Sequence, residues 1–420
     1  MYGFLVKIRL PLTALSALWV WGQPGALSLL PVQAAPILPA APPPATTQEL
    51  KDPLNRALFP PDDLVPSHIP LSVFQRRRLS ADLDRLHQEG LVLSQGGQLD
   101  SAFVLWYREL RGRQALGNLA EIKALGNVGA IAWENNRRED VGIITRRLEA
   151  IQGQEEKSHR LTPELLTALA QAHQQMRNLD EVIKLYQNIR QRAQQEKNYR
   201  QENEALTFLG DLYLAKFDYP QAGQIYEILL ERARLSKNIY YEGIYLQKLA
   251  EIYSKSAQPA QGVRIKEDLA RRYVQSQKVQ LLPNLKLAIA DDYVSLRELE
   301  KARQNYQEAY SLGWSLQQYG AAGLALSKLA DLYQAQGQGN DALQIYQRLL
   351  KVEQQSYNYY GLMQTYEKIA QLYLNARQYK PALTAYQQSL SLARALKYTA
   401  QEAHLLNQIE QVSQQQQQSP

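Results

Sequence analysis

Residues 209–226, LGDLYLAKFDYPQAGQIY, decide the fold of this chain. A leucine, Gly210 and Tyr213 lie at i, i+1 and i+4, so they share one face of a helix. A small residue on that face lets a second helix come close, and the aromatic ring fills the space beside it. Ala222 and Tyr226 repeat this arrangement. The segment therefore predicts a helical hairpin with an apolar seam that it cannot bury alone.

The same pattern recurs at a constant interval of forty residues. The tyrosines of this series are Tyr213, Tyr253, Tyr293, Tyr333 and Tyr373. Three residues before each of them stands a small residue, namely Gly210, Ala250, Ala290, Ala330 and Ala370, and the series extends upstream to Gly90, Ala130 and Ala170. A period of this size is typical of supersecondary units stacked into a solenoid, and solenoids work mainly as binding surfaces.

This pattern of small and aromatic residues resembles the tetratricopeptide repeat family, in a forty-residue variant. The resemblance implies an all-α solenoid of helical hairpins, wound as a right-handed superhelix of about eight repeats over residues 72–401. Residues 402–413 are predicted to form a capping helix with Leu406 and Ile409 facing inward. The Gln-rich residues 414–420 are predicted to be a disordered tail.

The amino-terminal segment predicts export. Lys7 and Arg9 precede an apolar run over residues 10–21, and small residues then flank Gln33. This layout is typical of a secretory signal peptide over residues 1–34, although an uncleaved anchor is the alternative. The run is interrupted before it reaches the roughly 20 residues that a membrane span needs. The Pro-rich residues 35–71 are predicted to form a disordered linker.

Composition narrows the class of protein further. The chain has no cysteine, which excludes a lipid-anchored exported protein, disulfide bonds and thiol catalysis. We expect an exported bacterial protein with the periplasm as its compartment; the thylakoid lumen or an extracellular location is the alternative. Export disfavours nucleic acid as a partner, and a formal charge of +6 is too modest to indicate an anionic polymer or a membrane surface. Oligomeric state stays open.

One column of polar residues is the main candidate for partner binding. In the family that the chain resembles, the first helix of each repeat lines a concave groove. The column two residues before the tyrosines holds Asp211, Glu251, Asp291 and Asp331, with Gln171 and Gln371 on either side. We expect this stripe to bind a cationic or amide-rich extended segment of a protein or peptide. The alternative is a solvated face in which Lys248 and Lys328 pair with the acidic residue three positions later.

Two atypical regions offer further candidates. Trp106, Arg108, Arg111, Trp133 and Arg137 lie in the first two repeats and have the residue types that interfaces favour, although nearby carboxylates also fit a salt-bridged solvated face. Lys266, Lys286 and Asp292 stand in columns that are apolar or aromatic elsewhere. They indicate a softer joint or a local contact site, unless the lysines simply extend to solvent.

The sequence gives no basis for catalysis. It has no phosphate-binding loop, no nucleophile elbow, and no histidines at metal-ligand spacing, so we predict neither cofactor nor metal. His173 stands in the tyrosine column and is predicted to be core. These observations favour a non-enzymatic protein–protein interaction scaffold of the cell envelope. The alternative is an accessory or regulatory subunit that binds a peptide or an envelope polymer.

Overall fold

The protein is described by a computed structural model, which covers residues 52–56, 59, 61–66 and 70–418. The predicted signal peptide and much of the predicted linker lie outside these residues. Within them the fold is all-α, with seventeen α-helices in tandem and no strand.

The helices follow one another with short turns. Their bounds are α1 Val73–Gln95, α2 Leu99–Arg113, α3 Asn118–Glu134, α4 Arg138–Lys157, α5 Pro163–Gln175, α6 Leu179–Gln195, α7 Tyr199–Ala215, α8 Tyr219–Leu235, α9 Ile239–Lys255, α10 Pro259–Gln275, α11 Leu282–Ser295, α12 Leu299–Ser315, α13 Tyr319–Ala335, α14 Gly339–Gln355, α15 Tyr359–Asn375, α16 Tyr379–Ala395 and α17 Thr399–Gln418. Helices α1 to α16 pair in order as eight hairpins, which is the predicted solenoid, and α17 follows them.

The spacing of the hairpins comes from helices and turns of constant length. From α6 onward most helices have seventeen residues and are separated by three, so equivalent helices begin forty residues apart, as α13 and α15 do. The exceptions are α17, which has twenty residues, and α11, which has fourteen and follows a short 3₁₀ turn, Val279–Leu281. Pro283 lies in the first turn of α11, where a missing N–H costs no helical hydrogen bond.

Each turn is closed by one residue in the left-handed region. After α7, Phe217 has φ 59°, and the next N–H, that of Asp218, donates to the carbonyl of Tyr213 at 2.8 Å. This is the hydrogen bond that closes a Schellman motif. The left-handed positions recur every twenty residues as Arg177, Lys197, Phe217, Lys237, Ala257, Gln277, Arg297, Gln317, Gly337, Tyr357, Arg377 and Lys397. Only one of them is glycine, so at the other positions a residue with a Cβ adopts the left-handed conformation that the Schellman motif requires.

The seams between helices pack as the sequence predicts. A Cβ on Gly210 would lie 2.8 Å from the Tyr226 ring, so the glycine is what lets that ring lie flat against α7. Trp106 occupies the same relation to Gly90 and is fully buried, and its Nε1 donates to the carbonyl of His87 at 3.2 Å. Small residues in one helix and aromatic residues in the next therefore fix the close approach inside each hairpin.

The predicted linker is not entirely without structure. Leu54 is buried, and the Asp62 carboxylate accepts from Nε and a terminal nitrogen of Arg108 at 2.8 and 3.0 Å. Arg111 donates to the carbonyl of Pro53 at 2.8 Å, and Gln114 donates to that of Leu54 at 2.9 Å. The described part of 52–66 thus packs on α2. This corrects the expectation of disorder up to residue 71.

The carboxyl end also differs from expectation. Helix α17 runs to Gln418, so residues 414–418 are helical and the predicted tail is wrong for them. Leu405 and Val412 are the buried residues of α17, whereas Leu406, which we predicted to face inward, is exposed. Because glutamine is a good helix former, Gln-rich composition alone did not predict the end of the helix.

Candidate functional site

The candidate acidic column lies on the first helix of successive hairpins. Asp211, Glu251, Asp291 and Asp331 belong to α7, α9, α11 and α13, and their side chains are 53%, 53%, 44% and 50% exposed. Gln171 in α5 and Gln371 in α15 continue the column. All four carboxylates are therefore accessible at one position of the repeat.

Each aspartate of the column is held by two partners. The Asp211 carboxylate accepts the hydroxyl hydrogen of Tyr226 at 2.6 Å, within its own hairpin. The same oxygen lies 3.0 Å from Nζ of Lys248, which belongs to the next hairpin. We call such an aspartate, tyrosine and lysine set a rung. It joins both helices of one repeat to the first helix of the following repeat.

The rung recurs twice more. Asp291 accepts from Tyr306 at 2.6 Å and from Lys328 at 2.9 Å. A third rung consists of Asp331, Tyr346 and Lys368, with distances of 2.5 and 2.7 Å. At the end of the column Gln371 accepts from the hydroxyl of Tyr386 at 3.2 Å.

The rungs alter the electrostatics that we predicted for the column. Burial, followed by the neighbouring carboxylate, raises the pKa of Tyr226, Tyr306 and Tyr346, so these hydroxyls remain donors. The predicted pairing of Lys248 and Lys328 within their own helices is wrong, because both lysines reach the aspartate of the preceding repeat. A rung thus presents a carboxylate and an ammonium side by side and carries no net charge.

Glu251 stands in the column without a rung. The tyrosine position of its hairpin is Lys266, the lysine position of the next hairpin is Ala288, and Glu251 pairs instead with Lys255 at 2.7 Å. Lys266 is buried and its Nζ lies 2.7 Å from a carboxylate oxygen of Asp292. The expectation that this lysine extends to solvent is therefore wrong.

The charged residues of this junction all have partners. Burial raises the pKa of Asp292, and the adjoining Lys266 ammonium opposes that shift. Lys286, which replaces a leucine of the repeat, reaches Glu308 at 2.6 Å and the side-chain oxygen of Asn305 at 3.2 Å. The junction between α10 and α11 is thus ionic in two columns that hold aromatic or apolar residues in the neighbouring repeats.

Comparison with known proteins identifies the repeat. Residues 322–395 match the family model of the tetratricopeptide repeat. The matched segment spans most of α13 and all of α14 to α16, and it contains the complete rung of Asp331, Tyr346 and Lys368. Together with the eight hairpins, this match makes the fold a tetratricopeptide-type helical-hairpin solenoid. Proteins with such repeats generally mediate protein–protein interactions.

Solved structures also resemble the chain. BtubC from P. vanneervenii is 18% identical over 52% of this chain and 92% of its own, with a TM-score of 0.36. The apo form of RapI is 12% identical over 75% and 98%, with a TM-score of 0.37. The apo quorum sensor NprR from B. thuringiensis is 15% identical over 68% and 80%, with a TM-score of 0.34. No curated protein sequence matches the chain.

The second candidate surface, in the first two tetratricopeptide-type hairpins, is not brought together as predicted. Trp106 is fully buried, and Arg108 and Arg111 hold the 52–66 segment. Arg137 bonds Asp100 and Asp140 and lies 4.4 Å over the ring of Phe103. Trp133 is half exposed. These arginines therefore serve the internal packing of the first repeats.

The tyrosines that define the forty-residue interval lie at the joints between hairpins. The hydroxyls of Tyr253 and Tyr293 donate to Glu227 and Glu267 of the preceding repeat, at 2.8 and 2.6 Å. His173 occupies the same column and is fully buried, as predicted, and its Nε2 has no hydrogen-bond partner among the described residues. Burial lowers the pKa of His173, because the charged imidazolium would lose its hydration.

Sequence reasoning missed the lysine of the rung. Lys248, Lys328 and Lys368 share one column of the tetratricopeptide-type repeat, and that recurrence was the available signal. Over the described ranges, no group of three or more histidine and carboxylate side chains could hold a metal ion. Among the same residues, no helix has the length and apolar character that a membrane crossing requires.

Proposed function

We propose that the protein is a non-enzymatic interaction scaffold of the cell envelope that binds an extended peptide or a helix of a partner along the column of Asp211, Glu251, Asp291 and Asp331. The observation that carries this proposal is the recurrence of half-exposed rungs at equivalent positions of successive repeats. A linear partner that crosses these repeats meets the same pair of groups at Asp211, Asp291 and Asp331, and meets Glu251 with Lys255 between the first two.

The chemistry of the rung favours a neutral, amide-rich segment. Each aspartate has lone pairs beyond those used by its tyrosine and lysine, and each lysine has hydrogens to donate. A peptide amide supplies one donor and one acceptor and so matches both groups. A strongly cationic segment would have to displace the lysine from its aspartate. Of the two kinds of partner segment that the sequence predicts, cationic and amide-rich, the rungs therefore favour the amide-rich one.

The cellular setting is part of the same proposal. The charged start and apolar run of residues 1–34 and the absence of cysteine support export, with the periplasm as the compartment. Cleavage of a signal peptide after residue 34 would release the chain from residue 35 onward into the periplasm, where it would bind a protein or peptide partner. Fractionation of cells with an antibody against the repeats tests this part: recovery with the periplasmic fraction is the expected result, and recovery with cytoplasm contradicts it.

The binding proposal is tested by affinity capture from envelope extract with the chain from Ala35 onward. The double variant Asp291→Asn and Asp331→Asn removes two charges while the new amide oxygens still accept from Tyr306 and Tyr346. Glu204→Gln is the control, because Glu204 is an exposed carboxylate of α7 that lies outside the column and pairs with Arg200 of its own helix. We expect a partner retained by the wild type and the control and lost by the double variant. Equal capture by all three proteins refutes the column as the binding site.

The ionic junction supports a second candidate function. A regulatory subunit that binds a short peptide or an envelope polymer and changes shape would need a joint unlike its neighbours, and the buried pair of Lys266 and Asp292 is such a joint. Calorimetric titration with peptides and glycan fragments tests this. A saturable heat that disappears in the variant Lys266→Tyr with Asp292→Leu supports the alternative, and no heat from the wild type excludes it for those ligands.

A further inference from the structure

A cluster of apolar side chains is exposed where α7 and α9 begin. The cluster consists of Tyr199, Leu235, Ile239, Tyr240 and Tyr241, all of them about half exposed or more, and we call it the turn patch. The rings of Tyr240 and Tyr241 meet edge to face at 5.4 Å. Tyr241 in turn lies nearly parallel to Tyr245 at 5.8 Å. The patch is therefore an ordered aromatic surface that no described part of the chain covers.

The turn patch borders a cavity. A space of about 640 Å³ lies between α7, α8 and α9, with Phe208, Tyr241 and Tyr245 among its walls. This volume is in the range of pockets that hold ligand groups. Arg232 lines the cavity and is fixed by Glu202 at 2.7 Å and by the Asn203 side chain at 2.8 Å. One charged side chain of the cavity wall is thus held in place by hydrogen bonds within the protein.

Around the turn patch, Glu202, Glu204 and Glu242 are each paired with an arginine, whereas lysines stand there without a partner among the described residues. Lys197 and Lys237 stand in the turns that lead into α7 and α9, and neither has an acidic partner in the described part of the chain. Lys278 repeats the situation in the next such turn. By contrast, Arg234 is bound by Glu242 and Asp268. Unpaired lysines on three successive turns attract an acidic partner.

We propose that the turn patch binds an acidic polypeptide segment that inserts one bulky apolar side chain into the cavity beside Phe208 and Tyr241. The cavity favours a polypeptide over a lipid surface, because a recess between helices receives one discrete side chain whereas a bilayer reaches only the protruding tips. This site goes beyond the function proposed above, since it shares no residue with the carboxylate column.

The probes are four synthetic twelve-residue peptides labelled with a fluorophore. The first has six Glu or Asp residues and a central Phe; the second has Ala in place of Phe; the third has Lys in place of every acidic residue; the fourth has Leu in place of Phe. Fluorescence anisotropy with the chain from Ala35 onward measures their affinities. We expect the Phe and Leu peptides to bind at least tenfold more tightly than the Ala and Lys peptides.

Variants locate the binding. Tyr241→Ser and Lys237→Glu should each weaken the Phe peptide at least tenfold, while circular dichroism shows an unchanged helix content. Tyr360→Ser is the matched control, because Tyr360 is an exposed tyrosine in the column of Tyr240, three repeats and one ionic junction away, and it should leave the affinity unchanged. Absence of binding, equal affinity for all four peptides, or equal loss in the control overturns the proposal. The proposal is also overturned if the peptides do not bind but the protein sediments with phosphatidylglycerol vesicles in a way that depends on Tyr241 and Lys237.

Discussion

Two kinds of junction hold successive hairpins of this solenoid together. At Asp211, Asp291 and Asp331 a half-exposed aspartate gathers a tyrosine of its own repeat and a lysine of the next. Between α10 and α11 a buried lysine instead meets an aspartate whose side chain is 15% exposed. The forty-residue interval of the columns is kept in both, although α11 is shorter and follows a 3₁₀ turn. The difference therefore shows that the repeat fixes the position of the helices and leaves the polar chemistry at the junction free to change.

The ionic junction depends on a third residue. A Cβ on Gly262 would lie 2.6 Å from a carboxylate oxygen of Asp292, whereas Ala222 and Ala302 occupy the equivalent position elsewhere. Gly262, Lys266 and Asp292 therefore all differ from the residues at the equivalent positions of the other repeats. An isolated buried charge would be very costly, and the glycine leaves the room in which the two charges meet.

The largest effect is expected from breaking the buried pair. Lys266→Met leaves the Asp292 carboxylate without its ammonium, and removal of one partner of a buried pair typically costs about 3–5 kcal/mol. Urea denaturation followed by circular dichroism measures the free energy of unfolding. A loss below about 1 kcal/mol would show that solvent reaches Asp292 and that the junction is not ionic in solution.

The comparison is sharpened by converting one junction into the other. Lys266→Tyr with Asp292→Leu restores the residues of the neighbouring repeats, and Ala288→Lys adds the lysine of a rung next to Glu251. Replacing a buried ion pair by packed apolar groups is often neutral or stabilising by about 1–4 kcal/mol. We expect the triple variant to be at least as stable as the wild type. A variant as unstable as Lys266→Met alone would contradict the equivalence of the two junctions.

The buried His173 should make the folding stability of the chain depend on pH. Burial lowers the pKa of His173 in the folded chain, so below the ordinary value near 6.5 the unfolded chain binds more protons and folding stability decreases as pH falls. The loss cannot exceed about 1.4 kcal/mol per pH unit for one proton. His173→Tyr, which restores the column residue, should flatten the difference in stability between pH 7 and pH 5. An unchanged pH profile would show that His173 is not the group responsible.

A smaller effect is expected from the tyrosine of a rung. Tyr346→Phe removes the hydroxyl that donates to Asp331 and should cost about 0.5–1.5 kcal/mol, the usual net contribution of one hydrogen bond. Tyr240→Phe is the control, since the Tyr240 side chain is exposed and should show no loss. If both variants lose the same amount, the hydroxyl of the rung contributes nothing specific.

The smallest effect belongs to the lysine of a rung. Lys368→Ala breaks an ion pair whose two side chains are 40% and 50% exposed, and such pairs contribute about 0–1 kcal/mol. The loss should shrink further in 1 M salt, where the Debye length is about 3 Å. A loss that is larger than that of Tyr346→Phe and independent of salt would place the lysine in the core of the junction.

The repeat columns predicted the hairpins and their number because small and aromatic residues must face each other wherever two helices pack closely. The partners of the acidic column were harder to predict. Lys248 lies three residues before Glu251 in the sequence, yet it reaches Asp211, because the rotation of one helix against the previous repeat decides which carboxylate is nearer. The packing of Leu54 was missed for another reason. A high proline content predicts an extended backbone without regular structure, but it does not predict whether a single leucine in that segment is buried.

Because a left-handed residue closes a turn every twenty residues, a whole hairpin of forty residues can be removed with its turns intact. Removal of residues 319–358 would place Asp291 one repeat from Lys368 and restore a rung, since each junction repeats the columns of the last. Removal of 239–278 would instead take away Lys266 and leave Asp292 facing Tyr226. We therefore expect duplication or deletion of whole repeats to be tolerated on either side of the ionic junction and to be destabilising where it separates Lys266 from Asp292.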